Sequence, residues 1–277
     1  MNFSRAYGML TKKKAPLGRV MTPTLKIVVD RELELRNFVP KPFWELEGDF
    51  GKYQGLYLDE EGNASFDDKA KAKAMIPQFG KKGTVVDVTK KKETKYAPEL
   101  HSLANLQNEC NRAFGYTMSE TLAVAQSLYE KKLLSYPRTD SAHLTEAIAK
   151  DFTKMLKPLL FIPKLKDEAD DVIKNKSIQL SVAKNKKYVN DKKVTDHYAI
   201  TPTGLTPDFG KLTKDEENVY MTVARRFLSI FLPPMVTEKT AIVTDANGHT
   251  FKTNGSILID LGFMRLYPTR NSDTMLP

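Results

Sequence analysis

Alternating hydrophobicity marks two stretches near the ends of this chain, and most of the sequence between them repeats at helical spacing. From Phe43 to Asp59, Trp44, Leu46 and Phe50 fall on one side of an extended chain while Glu45, Glu47 and Asp49 fall on the other. Thr237 to Thr244 and Thr250 to Asp260 also alternate, and the Asn247-Gly248 between them is a strong hairpin turn signal. Thr84 to Thr89 adds a strand, and Glu61-Gly62-Asn63 a turn. Sheet segments flanking a helical insertion predict an α+β fold with several lobes.

The helical signals are specific. Thr22 reads as an N-cap with Pro23 at the first helical position, and Leu25, Val28, Val29 and Leu33 then form one apolar face. Asp67 to Ile76 is a short helix candidate. Leu100, Leu103, Leu106, Cys110 and Phe114 make one stripe, followed by a turn at Gly115-Tyr116. Thr117 and Glu120 have capping-box spacing, and Leu122, Ala125, Tyr129 and Leu133 supply the core face of the next helix. These two helices form a helix-turn-helix candidate, with Tyr136 just past the second. A third helix is predicted over 146–156. Thr213 and Glu216 open another, with Val219, Tyr220, Val223, Phe227, Ile230 and Phe231 inward until Pro233-Pro234 stops it. Lys90-Lys91-Lys92 reads as an exposed linker, and 164–194, polar and lysine-rich, as mostly loop.

Lys plus Arg number 43 against 34 for Asp plus Glu, a net charge of +9 that favours a polyanionic partner, nucleic acid foremost. Charge of this kind supplies affinity and no chemistry. Cys110 is the single cysteine, so an internal disulfide and a Cys-based zinc site are both excluded, and a buried inert thiol is expected. The histidines His101, His143, His197 and His249 lack metal-ligand spacing, so no metal site is predicted. No apolar run is long enough to span a bilayer and no secretory pattern opens the chain, so a soluble cytoplasmic protein is expected.

Tyr136-Pro137-Arg138-Thr139-Asp140-Ser141 sets a phenol two residues from a permanent cation. A phenol is almost wholly protonated at neutral pH and a weak nucleophile until its surroundings activate it. A guanidinium so close can grip phosphate oxygens in a bidentate fork and offset charge that develops in the transition state. Taken alone, such a pair is more often structural than catalytic, and Arg138 has a plain alternative as the partner of Asp140.

Three blocks in order along the chain carry a resemblance. Leu17-Gly18-Arg19-Val20-Met21-Thr22-Pro23-Thr24-Leu25 looks like a G-R-V-Q-T-P-T-L block. Ala125-Gln126-Ser127-Leu128-Tyr129-Glu130, with Leu134 to Ser141, looks like an active-site block. His197-Tyr198-Ala199-Ile200-Thr201-Pro202-Thr203 looks like an H-x-A-I-x-P-T block. Together they make nearly the whole chain resemble the type IA DNA topoisomerases, especially the topoisomerase III branch.

That resemblance implies helical lobes joined by an antiparallel β-rich arch, part of a toroidal core. Residues 1–37 would begin a DNA-binding lobe, 38–97 the arch, 98–210 would be the lobe bearing the nucleophile, and 211–277 a helix and the return of the arch. Tyr136 would cleave single-stranded DNA through a 5′-phosphotyrosine and permit strand passage and ATP-independent religation. Arg138 and His197 would assist it as catalytic residues, and Arg19, Thr22, Gln126, Glu130, Thr139 and Asp140 would contact DNA. Met21 stands where the family usually has glutamine.

The expected partner is single-stranded DNA, bound by a monomer and away from membranes. Family members bind Mg²⁺ through a Toprim domain with a glutamate and a D-x-D pair. This sequence has no D-x-D and starts just ahead of Arg19, so a central fragment of a longer enzyme is expected, with no cofactor of its own and no relaxation activity. The competing reading is a helix-turn-helix DNA-binding module without catalysis, although Ser119-Glu120-Thr121-Leu122-Ala123 has little basic character for reading bases. A recombinase or relaxase would need further arginines or a histidine metal cluster.

Overall fold

A computed structural model describes residues 3–13 and 17–268. Its strands are β1 (Trp44–Glu45), β2 (Glu47–Asp49), β3 (Gln54–Leu58), β4 (Ser65–Phe66), β5 (Thr84–Lys95), β6 (Met235–Ala246) and β7 (His249–Asp260). β1 and β4 pair with each other, and the remaining five form an antiparallel sheet in the order β2-β3-β7-β6-β5. Segments from before and after the helical insertion thus interleave in one sheet. Asn247 (φ 58) and Gly248 (φ 84) join β6 to β7, supplying the two positive φ angles the predicted hairpin requires.

The alternation at 44–50 is also observed, with Trp44, Leu46 and Phe50 half-buried and Glu45, Glu47 and Asp49 exposed. At the hairpin end of the sheet, Tyr57, Ala246 and Phe251 are buried with Phe50, Phe66 and Phe79 around them. The lysine run corrects an expectation. Lys90, Lys91 and Lys92 lie inside β5, paired with Thr240, Lys239 and Glu238 of β6 rather than forming a linker. An edge strand tolerates lysines because their charged ends reach water from either face.

The helices are α1 (Phe3–Thr11), α2 (Met21–Arg36), α3 (Lys69–Met75), α4 (Leu103–Phe114), α5 (Met118–Glu130), α6 (Glu146–Ala149), α7 (Phe152–Leu156), α8 (Lys166–Lys174), α9 (Lys176–Lys184) and α10 (Lys214–Ser229). α2 starts earlier than predicted, placing Pro23 third. Proline is tolerated there because the first amides of a helix have no intrahelical acceptor. The apolar face expected on α2 is exposed, since none of the helix's residues is buried.

The main core lies among α4, α5, α7, α8 and α10, where Leu106, Leu128, Phe152, Leu165, Tyr220 and Phe227 are fully or almost fully buried. Cys110 is part of it, and burial first, then the charge of Glu109, pushes its thiol up to about 12. Gly115, in the left-handed region at φ 77, ends α4, and a Thr117–Glu120 capping box starts α5. The buried face of α5 is Thr121, Ala125 and Leu128, one residue away from the expected Leu122 and Tyr129. The single helix predicted over 146–156 is broken at Lys150-Asp151 into α6 and α7. The predicted loop at 164–194 instead contains α8 and α9. Leu165, Ala169 and Val172 keep an i, i+4, i+7 stripe that the surrounding lysines obscured.

The chain crossings between the sheet and the main helical core are fastened together. Arg226 of α10 donates to the Glu99 carbonyl at 2.8 Å and to the Glu109 carboxylate, which His101 also meets at 2.8 Å. Phe263 donates to the Pro233 carbonyl at 2.8 Å. Gly262 has φ 50, and a Cβ there would lie 2.2 Å from the Pro234 oxygen, so no other residue fits without displacing backbone.

Candidate active site

The nucleophile candidate is positioned by the end of α5. Glu216 of α10 accepts from both the Lys131 ammonium (2.6 Å) and the Ser127 hydroxyl (2.7 Å) while its other oxygen accepts from the Thr213 amide at 2.9 Å. Burial alone would raise the Glu216 carboxyl, but the Lys131, Ser127 and Thr213 donors outweigh it and hold the group down at about 2. One carboxylate thus caps α10 and anchors the last turn of α5.

Lys132 then takes φ 60, and the amides of Lys132 and Leu133 reach back to Tyr129 and Leu128 carbonyls at 2.8 and 2.9 Å. This left-handed residue ends the helix as glycine usually does. Leu133 and Leu134 turn into the core. Ser135 is locked on both sides: its amide donates to the Thr201 carbonyl (2.9 Å), and its hydroxyl donates to the Ala199 carbonyl (3.1 Å) and accepts from the Thr201 amide (2.9 Å). With Ser135 and Pro137 buried on either side, Tyr136 is held half-exposed.

The same bonds lay residues 197–203 against the Tyr136 segment. Leu134 bridges Pro202, and Thr203 donates through its amide to the Leu133 carbonyl (3.0 Å) and through its hydroxyl to the Lys132 carbonyl (2.6 Å). Two sequence blocks about 60 residues apart thereby meet. The Tyr136 and His197 rings are 4.4 Å apart between centroids, tilted by 51°, and Tyr129 stands edge-on to Tyr136 at 5.3 Å. The Thr139 hydroxyl donates to the His197 carbonyl at 2.7 Å, fixing one loop on the other.

These rings border an open cavity of about 640 Å³ whose walls include Glu130, Lys132 and Tyr198. Burial, then the charge of Asp151, raises the Tyr198 phenol, so it contributes a neutral wall. Arg138 is exposed, and neither it nor Asp140 has an ion pair among the described residues. Its guanidinium is therefore free to take an anion. Gln126 donates to Glu130 at 3.0 Å, one turn back along α5.

Arg19 and Thr22 stand at the start of α2, both exposed. The Thr22 hydroxyl accepts from the Gly18 amide at 3.0 Å. Among the described residues no hydrogen bond or ion pair joins either to the Tyr136 neighbourhood. Thr139 differs from the other expected DNA contacts in being only 6% exposed. Tyr129, Lys132 and Tyr198 were not singled out from sequence as site residues. Tyr129 carried a signal, one turn beyond Gln126 and beside Glu130, whereas Lys132 enters the wall through a backbone angle no pattern announces.

A family model described as DNA topoisomerase matches residues 1–277, the whole chain. This chain belongs to the type IA DNA topoisomerases. A DNA topoisomerase 3 of Bacillus cereus is 32% identical over 276 residues, covering 99% of this chain and 37% of that protein. One from Bacillus licheniformis is 34% identical over 278 residues, with 99% and 37% covered. One from Shouchella clausii is 36% identical over 272 residues, with 95% and 36% covered. The chain therefore spans a little over a third of the length of these relatives. Full-length topoisomerase I from Thermotoga maritima has a similar fold, with a TM-score of 0.70 at 23% identity over 100% of this chain and 44% of that one.

As a type IA topoisomerase sequence, the chain keeps its Tyr136 and His197 blocks in contact. Among the described residues no helix is long and apolar enough to cross a membrane, and no group of three or more potential metal ligands occurs.

Proposed function

We propose that this chain is the strand-cleaving and gating part of a topoisomerase III-like enzyme. Tyr136 attacks a phosphodiester of single-stranded DNA: the phenolic oxygen bonds to phosphorus, the bond from phosphorus to the 3′ oxygen breaks, and that oxygen leaves carrying a proton. The DNA 5′ end stays on Tyr136. Religation reverses each bond, exchanging one phosphodiester for another of similar energy, so no ATP is needed. The observation that carries this reading is the Tyr136–His197 ring contact at 4.4 Å, with Arg138, two residues further along the chain, exposed and without an ion pair among the described residues.

Arg138 holds the scissile phosphate in a planar fork, and His197 donates to a phosphate oxygen when protonated. Glu130 and Gln126 border the strand, Asp140 lies at its edge, and Thr139 acts by fixing the His197 loop. Arg19 and Thr22 meet the DNA backbone from the first helical lobe. The antiparallel sheet serves as the arch, and the helix-turn-helix lobe built on α4 and α5 lifts to admit a second strand.

Mg²⁺ is implied by the resemblance and would supply electrostatic help at phosphate. The described residues hold no cluster fit to bind it, so no step above is routed through it. The 277-residue chain alone is expected to bind single-stranded DNA weakly and to leave supercoils unrelaxed. The test is denaturant trapping on strands labelled at either end, using the full-length polypeptide that carries these residues. A covalent adduct at the 5′ phosphate that disappears in Tyr136→Phe is expected. An adduct that survives the substitution, or one on the 3′ end, overturns the reading.

A further inference from the structure

A second cavity, of about 410 Å³, is lined by residues of α10, the end of α4 and the chain around Ile162 and Phe209. It shares no lining residue with the Tyr136 cavity. Phe114, Ile162, Phe209 and Met221 give it an apolar wall, and Arg225, Lys164 and Lys214 give it three cations. Lys214 is already paired with Glu217 at 2.9 Å. Arg225 and Lys164 have no ion pair among the described residues, and the Arg225 Nε is buried without any hydrogen-bond partner.

The next residue on α10 also buries an Nε without a partner, but its terminal nitrogens are paired, whereas those of Arg225 are not. Arg226 spends its guanidinium on the Glu109 carboxylate and the Glu99 carbonyl. A half-buried guanidinium with a buried, orphaned N–H costs more than a neutral donor in the same state, and an anion entering the cavity removes that cost. An apolar ligand alone would leave Arg225 unmatched, and a bare anion would leave the aromatic wall empty. A ligand that is planar and apolar at one end and doubly anionic at the other matches both.

We propose that this cavity binds a nucleotide, with the base against Phe209 and Phe114 and the phosphate on Arg225 and Lys164. A volume of this size lies in the range that holds small ligands. The nucleotide is either a free monophosphate or one unit of a single strand running over this face. The assignment is independent of the role given to Tyr136.

The test titrates the 277-residue chain with thymidine monophosphate, thymidine, inorganic phosphate and a short oligothymidylate, using calorimetry. Thymidine monophosphate should bind more tightly than thymidine or phosphate. Arg225→Gln should weaken it about tenfold, the effect of one charge-assisted contact, and Lys164→Gln should weaken it about threefold. Arg225→Gln should not lower the melting temperature, since it removes an unpaired charge, whereas a purely structural arginine would. Tyr136→Phe should leave this binding unchanged, which separates failure here from failure of the cleavage reading. Loss of oligothymidylate affinity in Arg225→Gln identifies the strand as the source, and loss of monophosphate binding alone identifies the free nucleotide. Monophosphate and oligonucleotide affinities that survive both substitutions, or no saturable monophosphate binding up to about 10 mM together with unaltered oligonucleotide affinity, overturn the proposal. Lys164 is exposed, so its variant keeps the test valid even if Arg225→Gln fails to fold.

Discussion

Replacing Glu216 with glutamine should remove a definite part of this protein's acid sensitivity. Its carboxyl falls from an ordinary 4.5 to about 2 because Lys131, Ser127 and Thr213 donate to it against the opposing effect of burial. At ~1.36 kcal/mol per pH unit the difference corresponds to about 3 kcal/mol between the ionised and protonated forms. Lys131 is 40% exposed, so solvent screening reduces the contribution to roughly 2 kcal/mol. The carboxyl binds its proton more readily in the unfolded chain. Its stabilisation is therefore complete above about pH 5 and drains away as the pH falls from about 4.5 towards 2.

Urea unfolding followed by circular dichroism at pH 7 and pH 3 measures this. At pH 7 Glu216→Gln should lose about 2 kcal/mol, lowering the midpoint by about 1 M for a slope near 2 kcal/mol/M. At pH 3 the difference between variant and parent should shrink to less than half, because the parent has lost most of its advantage. An equal loss at both pH values would refute the reasoning, and would assign the effect to capping geometry rather than to charge.

Gly262→Ala should destabilise by more than about 3 kcal/mol, since a Cβ meets the Pro234 oxygen at 2.2 Å on a backbone already at φ 50; a loss below about 1 kcal/mol in chemical unfolding would contradict that contact. Lys132→Gly should raise stability by about 0.5–1 kcal/mol by relieving a left-handed lysine, and a lower melting temperature would show that its side chain stabilises the turn instead. Arg138→Lys should leave stability within about 0.5 kcal/mol, because no protein partner is lost, yet reduce cleavage by the full-length polypeptide at least about tenfold. Retained cleavage would remove the fork from the mechanism.

Where local chemistry decides structure, the sequence was readable. Asn247-Gly248 gave the hairpin, Thr117 with Glu120 and Thr213 with Glu216 gave two helix starts, and Tyr136 with His197 lay in blocks that the fold brings together. The failures have a common cause. The lysines at 90–92 and 164–187 read as solvated loop because charge conceals a sparse apolar stripe or an edge-strand ladder whose partner is about 150 residues away. The anchoring of α5 by Glu216 was equally hidden, since Ser127 and Lys131 lie 89 and 85 residues from it and only tertiary packing reveals the contact. Thr139 shows the converse, a motif residue whose hydroxyl faces inward to a neighbouring loop.

The β6–β7 hairpin has 12 residues on each side, which at about 3.3 Å per residue makes a lever of about 40 Å from the fastened crossings at its base to the Asn247-Gly248 tip. A flexure of about 10° at the base, where the pairing slips between Val236 and Thr237, carries that tip through about 7 Å while each ladder bond shifts only slightly. Small angular compliance at one end of a long ribbon is thereby amplified into a displacement wider than a side chain at the other.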